Sequence, residues 1–161
     1  MKVLVEGYKR CSIDKVIEKD KYTTARVVEV EDLPLKDSES KNLIRLIKAK
    51  FEDYISVTKR IPPEIVSTVD ALDELSKLMD TITGHLPIET SKKQEILEMI
   101  DLKSRAEKVL TFIESQLDVV DVEKKVRDRV KKQMEKSQRE YYLNEQIKAA
   151  QKELGLSLIH I

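Results

Sequence analysis

The most constraining feature of this sequence is a run of 67 residues, Ile88 to Leu154, that contains neither glycine nor proline. These residue types usually interrupt regular structure, so their absence predicts long uninterrupted elements. Between residues 121 and 153, 17 of the 33 residues are charged, and apolar residues become sparse. A helix over residues 101–154 would be about 80 Å long, roughly twice the width of a compact domain of this size. We therefore expect one long helix whose far end projects.

The N-terminal residues have the composition of β-strands. Three β-branched runs are separated by turn residues: KVLVEG at 2–7, RCSIDKV at 10–16 and TTARVVEVED at 23–32. They predict a partial antiparallel meander. Because a lone meander of this size would leave a face and its edges uncovered, we expect that helices cover it and that further strands precede Met1.

Helical periodicity begins after residue 36. Pro62 and Pro63 are expected to stop one helix and to open the next, because proline suits the first helical turn. Gly84 is expected just past the end of a further helix. Apolar residues three and four positions apart give the expected core stripes. These are Leu43, Ile47, Phe51, Tyr54 and Thr58; Leu72, Leu75, Met79 and Ile82; and Ala106, Val109, Leu110, Ile113, Leu117 and Val120.

Capping signals mark two further helix starts. Ser91 and Gln94 have the spacing of a capping box that would open a short helix through Ile100. Asp101 is suited to be the N-cap of the long helix that follows.

These patterns together predict an α+β fold: a partial antiparallel β meander followed by a helical lobe and one long projecting α-helix. We place the boundaries at 1–35 for the β-rich part, 36–100 for the helical lobe and 101–155 for the long helix. Residues 156–161 are a separate apolar tail.

Catalytic chemistry is not expected in this chain. Its three glycines cannot form a phosphate-binding loop, and no nucleophile elbow is present. Two histidines, His85 and His160, lie far from each other and from Cys11, which argues against a zinc site. His85 instead suits the C-terminal carbonyls of its helix. The sequence therefore predicts no catalytic, cofactor-binding or metal-binding residue.

The charge balance argues against nucleic acid and membranes as partners. Thirty lysines and arginines offset thirty acidic residues, so no global field attracts polyanions. A possible basic strip, Arg127, Arg129, Lys131 and Lys132, is interleaved with acids and lacks nearby aromatic residues, so nucleic-acid binding by this segment is disfavoured. The single Cys11 and the lack of a long apolar run or signal peptide favour a soluble cytoplasmic protein.

Two adjacent tyrosines, Tyr141 and Tyr142, stand out in the charged part of the long helix. They have two interpretations, local packing against a neighbouring helix or exposed anchors for a partner chain. With Met134 and Ile147 they are the predicted protein-interaction residues.

Four segments point to a known family: KVLVEG at 2–7, RIPPE at 60–64, DTITGHLPI at 80–88 and VEKKVRDRVKKQMEKSQREYYLNEQIKAAQKELG at 122–155. They resemble bacterial Lon, the ATP-dependent serine protease family. The likeness covers residues 2–155 and implies the middle of the N-terminal region of that family, which combines a β-rich lobe, a helical lobe and a long helix leading towards the ATPase module.

The resemblance implies a segment for substrate recognition and for assembly of a homohexamer, in a protein that degrades misfolded and regulatory proteins. It implies ATP and Mg²⁺ as cofactors of the parent protein, bound outside this chain. The ATPase and Ser–Lys protease motifs match no position here, so the chain alone should be inactive. Unfolded or misfolded proteins and sister subunits are the implied partners.

The tail Leu156–Ile161 departs from the acidic continuation of the family. Its letters, LSLIHI, resemble a translated sequencing adapter, so we expect a non-native tail, with a genuine apolar C-terminus as the alternative. A free-standing coiled-coil adaptor is the alternative function. It requires a sustained heptad seam, which Gln133, Ser137, Asn144 and Gln146 interrupt.

Overall fold

The computed structural model describes the backbone of residues 1–159 and the side chains of residues 1–155. Within that part the fold is α+β, as predicted, with two strands followed by five helices, the last of them long. In chain order the elements are β1 Cys11–Lys19, β2 Tyr22–Glu29, α1 Asp37–Thr58, α2 Pro63–Ala71, α3 Leu75–His85, α4 Thr90–Glu98 and α5 Leu102–Ile159. The chain divides into two units, Met1–Leu117 and Asp118–Ile161.

The two strands form an antiparallel hairpin with a bulge. A shift in pairing between Ile13 and Lys15 changes which side chains share a face. Because paired residues lie on the same face, Ile13, Val16 and Val27 all lie on one side of the hairpin. These three side chains are 64%, 53% and 52% exposed. The expectation that helices cover this sheet is therefore wrong for the described part of the chain.

Residues 1–10 contain no strand, so the prediction of a strand over KVLVEG is also wrong. Val3, Leu4 and Val5 are exposed. A β-branched run is stabilised as a strand only when a neighbour accepts and donates ladder hydrogen bonds. Pairing extends one step beyond β1, where the Val30 amide donates to the Arg10 carbonyl at 3.0 Å.

The helices of the first unit enclose one apolar core. Prolines separate α1 from α2 as predicted, with Pro62 at the N-cap and Pro63 at the first helical position. Most of the predicted stripe residues are buried, whereas Leu72 lies at the C-cap of α2 rather than in α3. The buried core consists of Ile44, Ile47, Phe51, Tyr54, Val69, Leu75, Leu78, Met79, Ile82, Leu86, Ile96, Ala106, Val109 and Ile113.

Two predicted helix boundaries need correction. Gly84 lies inside α3 without a positive φ, and the helix ends at His85. The Gly84 carbonyl, near this end, accepts a hydrogen bond from Lys93 Nζ at 2.9 Å, a role that the sequence predicts for His85. The capping box at Ser91 is absent, because α4 begins at Thr90 after Glu89 with no side-chain cap.

The long helix begins as predicted. Asp101 Oδ2 accepts the Ser104 backbone N–H at 2.9 Å, which is an N-cap hydrogen bond. In the first unit the helix buries Ala106, Val109 and Ile113. In the second unit every side chain from residue 121 to residue 154 is exposed. The backbone stays helical past Gly155 to Ile159. The prediction that Leu156–Ile161 is a non-native tail falls on side chains and final residues that lie outside the described part of the chain.

Candidate functional site

A fully buried arginine organises the first unit. Arg105, in the second turn of α5, has no exposed side-chain surface. Its Nε donates to the Met99 carbonyl at 2.8 Å and its Nη1 to Ser76 Oγ at 2.9 Å. Its Nη2 donates to Asp32 Oδ1 in the segment after β2. One guanidinium therefore joins the start of α5 to α3 and to the end of the hairpin.

A second arginine completes an ion-pair cluster. Arg10, just before β1, donates from Nη1 to Asp32 at 2.8 Å and from Nη2 to Asp80 at 2.7 Å. Asp80 also lies 3.9 Å from Arg105. We call Arg10, Asp32, Asp80 and Arg105 the four-residue cluster. Two positive and two negative charges balance within it.

The two carboxyl groups of the cluster have opposite pKa shifts. Burial alone would raise the pKa of Asp32, but the hydrogen bonds from Ser76 and Arg105 and the charges of both arginines outweigh it, so this pKa is lowered. For Asp80, burial outweighs the effect of the arginines and the negative charge of Asp32 adds to it, so its pKa is raised. Asp32 and Asp80 share the same two cations, but their different environments shift their pKa values in opposite directions.

A groove of about 940 Å³ opens beside the cluster. Its walls come from residues 6–10, the end of α2, α3 and α4, and they combine apolar side chains such as Leu72 and Leu97 with hydroxyl and amide groups. Within the described residues, Thr83 Oγ1 and Arg10 Nε are buried without a hydrogen-bond partner, and both residues line this groove. The lining is mainly polar and charged with a few apolar side chains, so the groove offers both hydrogen-bonding groups and apolar surface.

The predicted interaction residues do not form one patch. Met134, Tyr141, Tyr142 and Ile147 are 59%, 69%, 62% and 54% exposed. Met134 and Tyr141 are seven positions apart and share a helix face, whereas Tyr142 and Ile147 point elsewhere. The Tyr142 hydroxyl accepts a hydrogen bond from Gln146 Nε2 at 3.0 Å. Their role as contact residues stays a prediction.

Sequence reasoning missed both the cluster and the groove. Arg10 and Asp80 are 70 positions apart, and Arg105 and Asp32 are 73 apart, so no local spacing connects them. A signal was available at Arg105, which stands four positions before buried Val109 on the apolar stripe of α5. A charged residue at a core position requires partners, and that requirement predicts a buried ion pair.

The residues that the structure describes contain no group of three His, Cys, Asp or Glu side chains placed to hold a metal ion. No helix among them is long and apolar enough to cross a membrane.

Comparison with known proteins gives one consistent result. Residues 1–115 match the family described as the ATP-dependent protease La (LON) substrate-binding domain. The chain is 44% identical over 155 residues to the Lon protease of Escherichia coli K12, covering 96% of this chain and 20% of that protein. It is 46% identical over 156 residues to the Lon protease of Brucella melitensis, covering 96% and 19%. The chain thus spans about a fifth of the length of these relatives.

Proposed function

Because this chain belongs to the Lon family of ATP-dependent proteases, through their substrate-binding domain, we propose that the unit Met1–Leu117 binds segments of protein substrates. The observation that carries the proposal is the family match over residues 1–115, which ends within two residues of the end of this unit. Substrate binding is thereby assigned to a unit that has its own buried core.

The groove beside the four-residue cluster is the proposed contact site. Leu97, 44% exposed on its wall, offers apolar surface to an unfolded chain. The exposed side chains of Thr90 and Gln94 on the same wall can exchange hydrogen bonds with a peptide backbone. The cluster fixes Arg10 in place, so the groove binds without first ordering this wall, which lowers the entropic cost of association.

In a full-length protease of this family, we assign this segment to substrate recognition and assembly. ATP and Mg²⁺ binding, and peptide hydrolysis by a Ser–Lys dyad, belong to other regions, because no position here carries those motifs. Such an enzyme acts in the cytoplasm on misfolded and regulatory proteins. Sister subunits of a homohexamer would contact α5 on the face of Met134 and Tyr141, which are exposed.

The proposal is tested by the binding of an unfolded protein. A fluorescein-labelled protein, reduced and carbamidomethylated so that it stays unfolded without added charge, is titrated with the chain and followed by anisotropy. The native form of the same protein serves as the comparison. We expect micromolar binding of the unfolded form and none of the native form. Failure to bind the unfolded form would refute substrate binding by this chain.

A matched pair of variants tests the groove. Leu97 on the groove wall and Leu46 on α1 outside it have similar exposure, 44% and 46%. Leu97→Asp should weaken binding about tenfold or more, because a charge replaces an apolar contact. Leu46→Asp should change it less than about twofold. Equal losses in both variants would show that the groove is not the contact site.

A further inference from the structure

Positive charge is concentrated on a short stretch of α5. Between Lys124 and Arg139 there are eight lysines and arginines but two acidic residues, although the whole chain has no net charge. All sixteen residues are exposed. A net excess of this size in one exposed segment of a neutral chain creates a local positive potential that the overall charge does not reveal.

Five of these bases lie in one row. Lys125, Arg129, Lys132, Lys136 and Arg139 follow the spacing i, i+4, i+7, i+11 and i+14. At 100° per residue they occupy an arc of about 80° and extend about 21 Å along the helix. We call them the basic row. The other bases, Lys124, Arg127 and Lys131, lie on a different side.

The basic row is only partly neutralised by its own helix. Lys125 pairs with Asp121 at 2.7 Å, and Lys136 lies 4.0 Å from Glu140. Arg129, Lys132 and Arg139 form no ion pair among the described residues. Both of these ion pairs are between exposed side chains, so an incoming carboxylate can displace or share them at little cost.

An apolar row continues the basic row on the same face. Leu143, Ile147, Ala150 and Leu154 keep the spacing i, i+4, i+7 and i+11, with Leu143 four positions after Arg139. Leu143, Ile147 and Leu154 are 48%, 54% and 65% exposed. The apolar row extends the surface by about 17 Å. One face of α5 therefore presents cations first and apolar side chains next.

We propose that this face binds an unfolded protein segment in which acidic residues are followed, or preceded, by apolar residues. The inference rests on the proposed function and names a substrate class for it. At about 3.3 Å per residue, an extended segment needs six or seven residues to span the basic row and about five to span the apolar row. Carboxylates complement the first row, and burial of apolar side chains favours the second.

The observations favour a polypeptide over a nucleic acid. A polyanion has phosphates along its whole length and gains nothing from the apolar row of Leu143 to Leu154. Base stacking requires aromatic side chains beside the cations. Tyr141 and Tyr142 lie about 160° and 100° away from the middle of the basic row, so they do not face the same ligand.

Two triple variants of the full chain form the test. Lys125→Gln, Arg129→Gln and Lys132→Gln remove three charges from the basic row. Lys124→Gln, Arg127→Gln and Lys131→Gln remove the same residue types from the other side of the same turns. The fluorescein-labelled probe is a 12-residue peptide in which Glu and Ser alternate over seven residues and Leu and Ser over the last five. A second probe has Lys in place of Glu.

We expect the triple variant of Lys125, Arg129 and Lys132, the row variant, to bind the Glu probe about tenfold more weakly at low salt. The triple variant of Lys124, Arg127 and Lys131, the control variant, should weaken this binding less than about threefold. The Lys probe should not bind. Circular dichroism at 222 nm confirms equal helicity in both variants. The same two variants are also titrated with a 12-nucleotide oligothymidine.

Two outcomes would overturn the inference. One is equal weakening of the Glu probe by both variants, which indicates attraction by net charge alone. The other is tighter binding of oligothymidine than of the Glu probe, which assigns the basic row to nucleic acid. Neither outcome bears on the binding of unfolded protein at Leu97, which tests the proposed function separately. If the unfolded protein does not bind at all, the proposed function itself is refuted.

Discussion

Replacement of Arg105 by methionine should destabilise the first unit more than any surface substitution. The side chain is fully buried and donates three hydrogen bonds, to Met99, Ser76 and Asp32. Methionine fills similar space but leaves the Met99 carbonyl and Ser76 without their donor. Asp32 loses one of its two cations and keeps Arg10 at 2.8 Å.

The expected loss follows from these partners. Breaking a buried ion pair by removing one member costs about 3–5 kcal/mol. Because Arg10 still neutralises Asp32, we expect the lower part of that range, about 3 kcal/mol. A domain of this kind is stabilised by about 5–15 kcal/mol, so the variant should fold but unfold at clearly lower denaturant. With a slope near 2 kcal/mol/M, the urea midpoint should fall by about 1.5 M.

The measurement is urea unfolding followed by the near-ultraviolet circular dichroism of Tyr54, which is buried in the first unit. The control is Arg45→Met, because Arg45 is exposed on α1 and donates one hydrogen bond to Asn42 Oδ1 in the preceding turn at 2.7 Å. Its midpoint should move by less than about 0.3 M. A shift of the same size in both variants would refute a structural role for the cluster.

Two further predictions concern charge and packing. Asp32 has a lowered pKa, so its contribution to stability is present above its unfolded pKa of about 3.9 and is lost as the pH falls further. Asp80 has a raised pKa, so its contribution is present at low pH and is lost as the pH rises through the folded value. As the pH rises from 3 to 7, the urea midpoint of Asp32→Asn should therefore fall relative to that of the native chain, and the midpoint of Asp80→Asn should rise relative to it. The same sign for both variants would contradict the assigned pKa shifts. Ile47→Ala should cost about 2–5 kcal/mol because Ile47 is fully buried, whereas Leu46→Ala, 46% exposed, should cost under about 1 kcal/mol; equal thermal midpoints would contradict the core assignment.

Local signals in the sequence predicted the helical part well. Pro62 and Pro63 act through a fixed φ and a missing donor, which are properties of the residues themselves. The cap at Asp101 and the stripe through Ile47 and Phe51 depend on spacings of three or four positions. Wherever the stabilising partner lies within one helical turn, the sequence contains the whole interaction.

Predictions that depended on distant partners were wrong or were not made. KVLVEG has strand propensity but no ladder in the described chain. Gly84 has the residue type of a helix end, yet α3 continues to His85, and the Gly84 carbonyl accepts a hydrogen bond from Lys93 of α4. The four-residue cluster and the groove join segments about 70 positions apart, so their geometry follows from the fold and not from any short motif.

Arginines in the two units differ in what their charge can do. Arg105 has no contact with water and has its partners within hydrogen-bond distance, so its charge is fully used inside the fold. Arg129 lies on an exposed helix face with no ion pair among the described residues, so its charge remains available to a ligand. Salt screens exposed charges strongly and buried pairs weakly. The loss of stability on replacing Arg105 should therefore persist at high salt. The loss of peptide binding on replacing Arg129 should disappear at high salt. Ionic strength thus separates the residue that holds the substrate-binding unit together from the residue that we assign to the substrate.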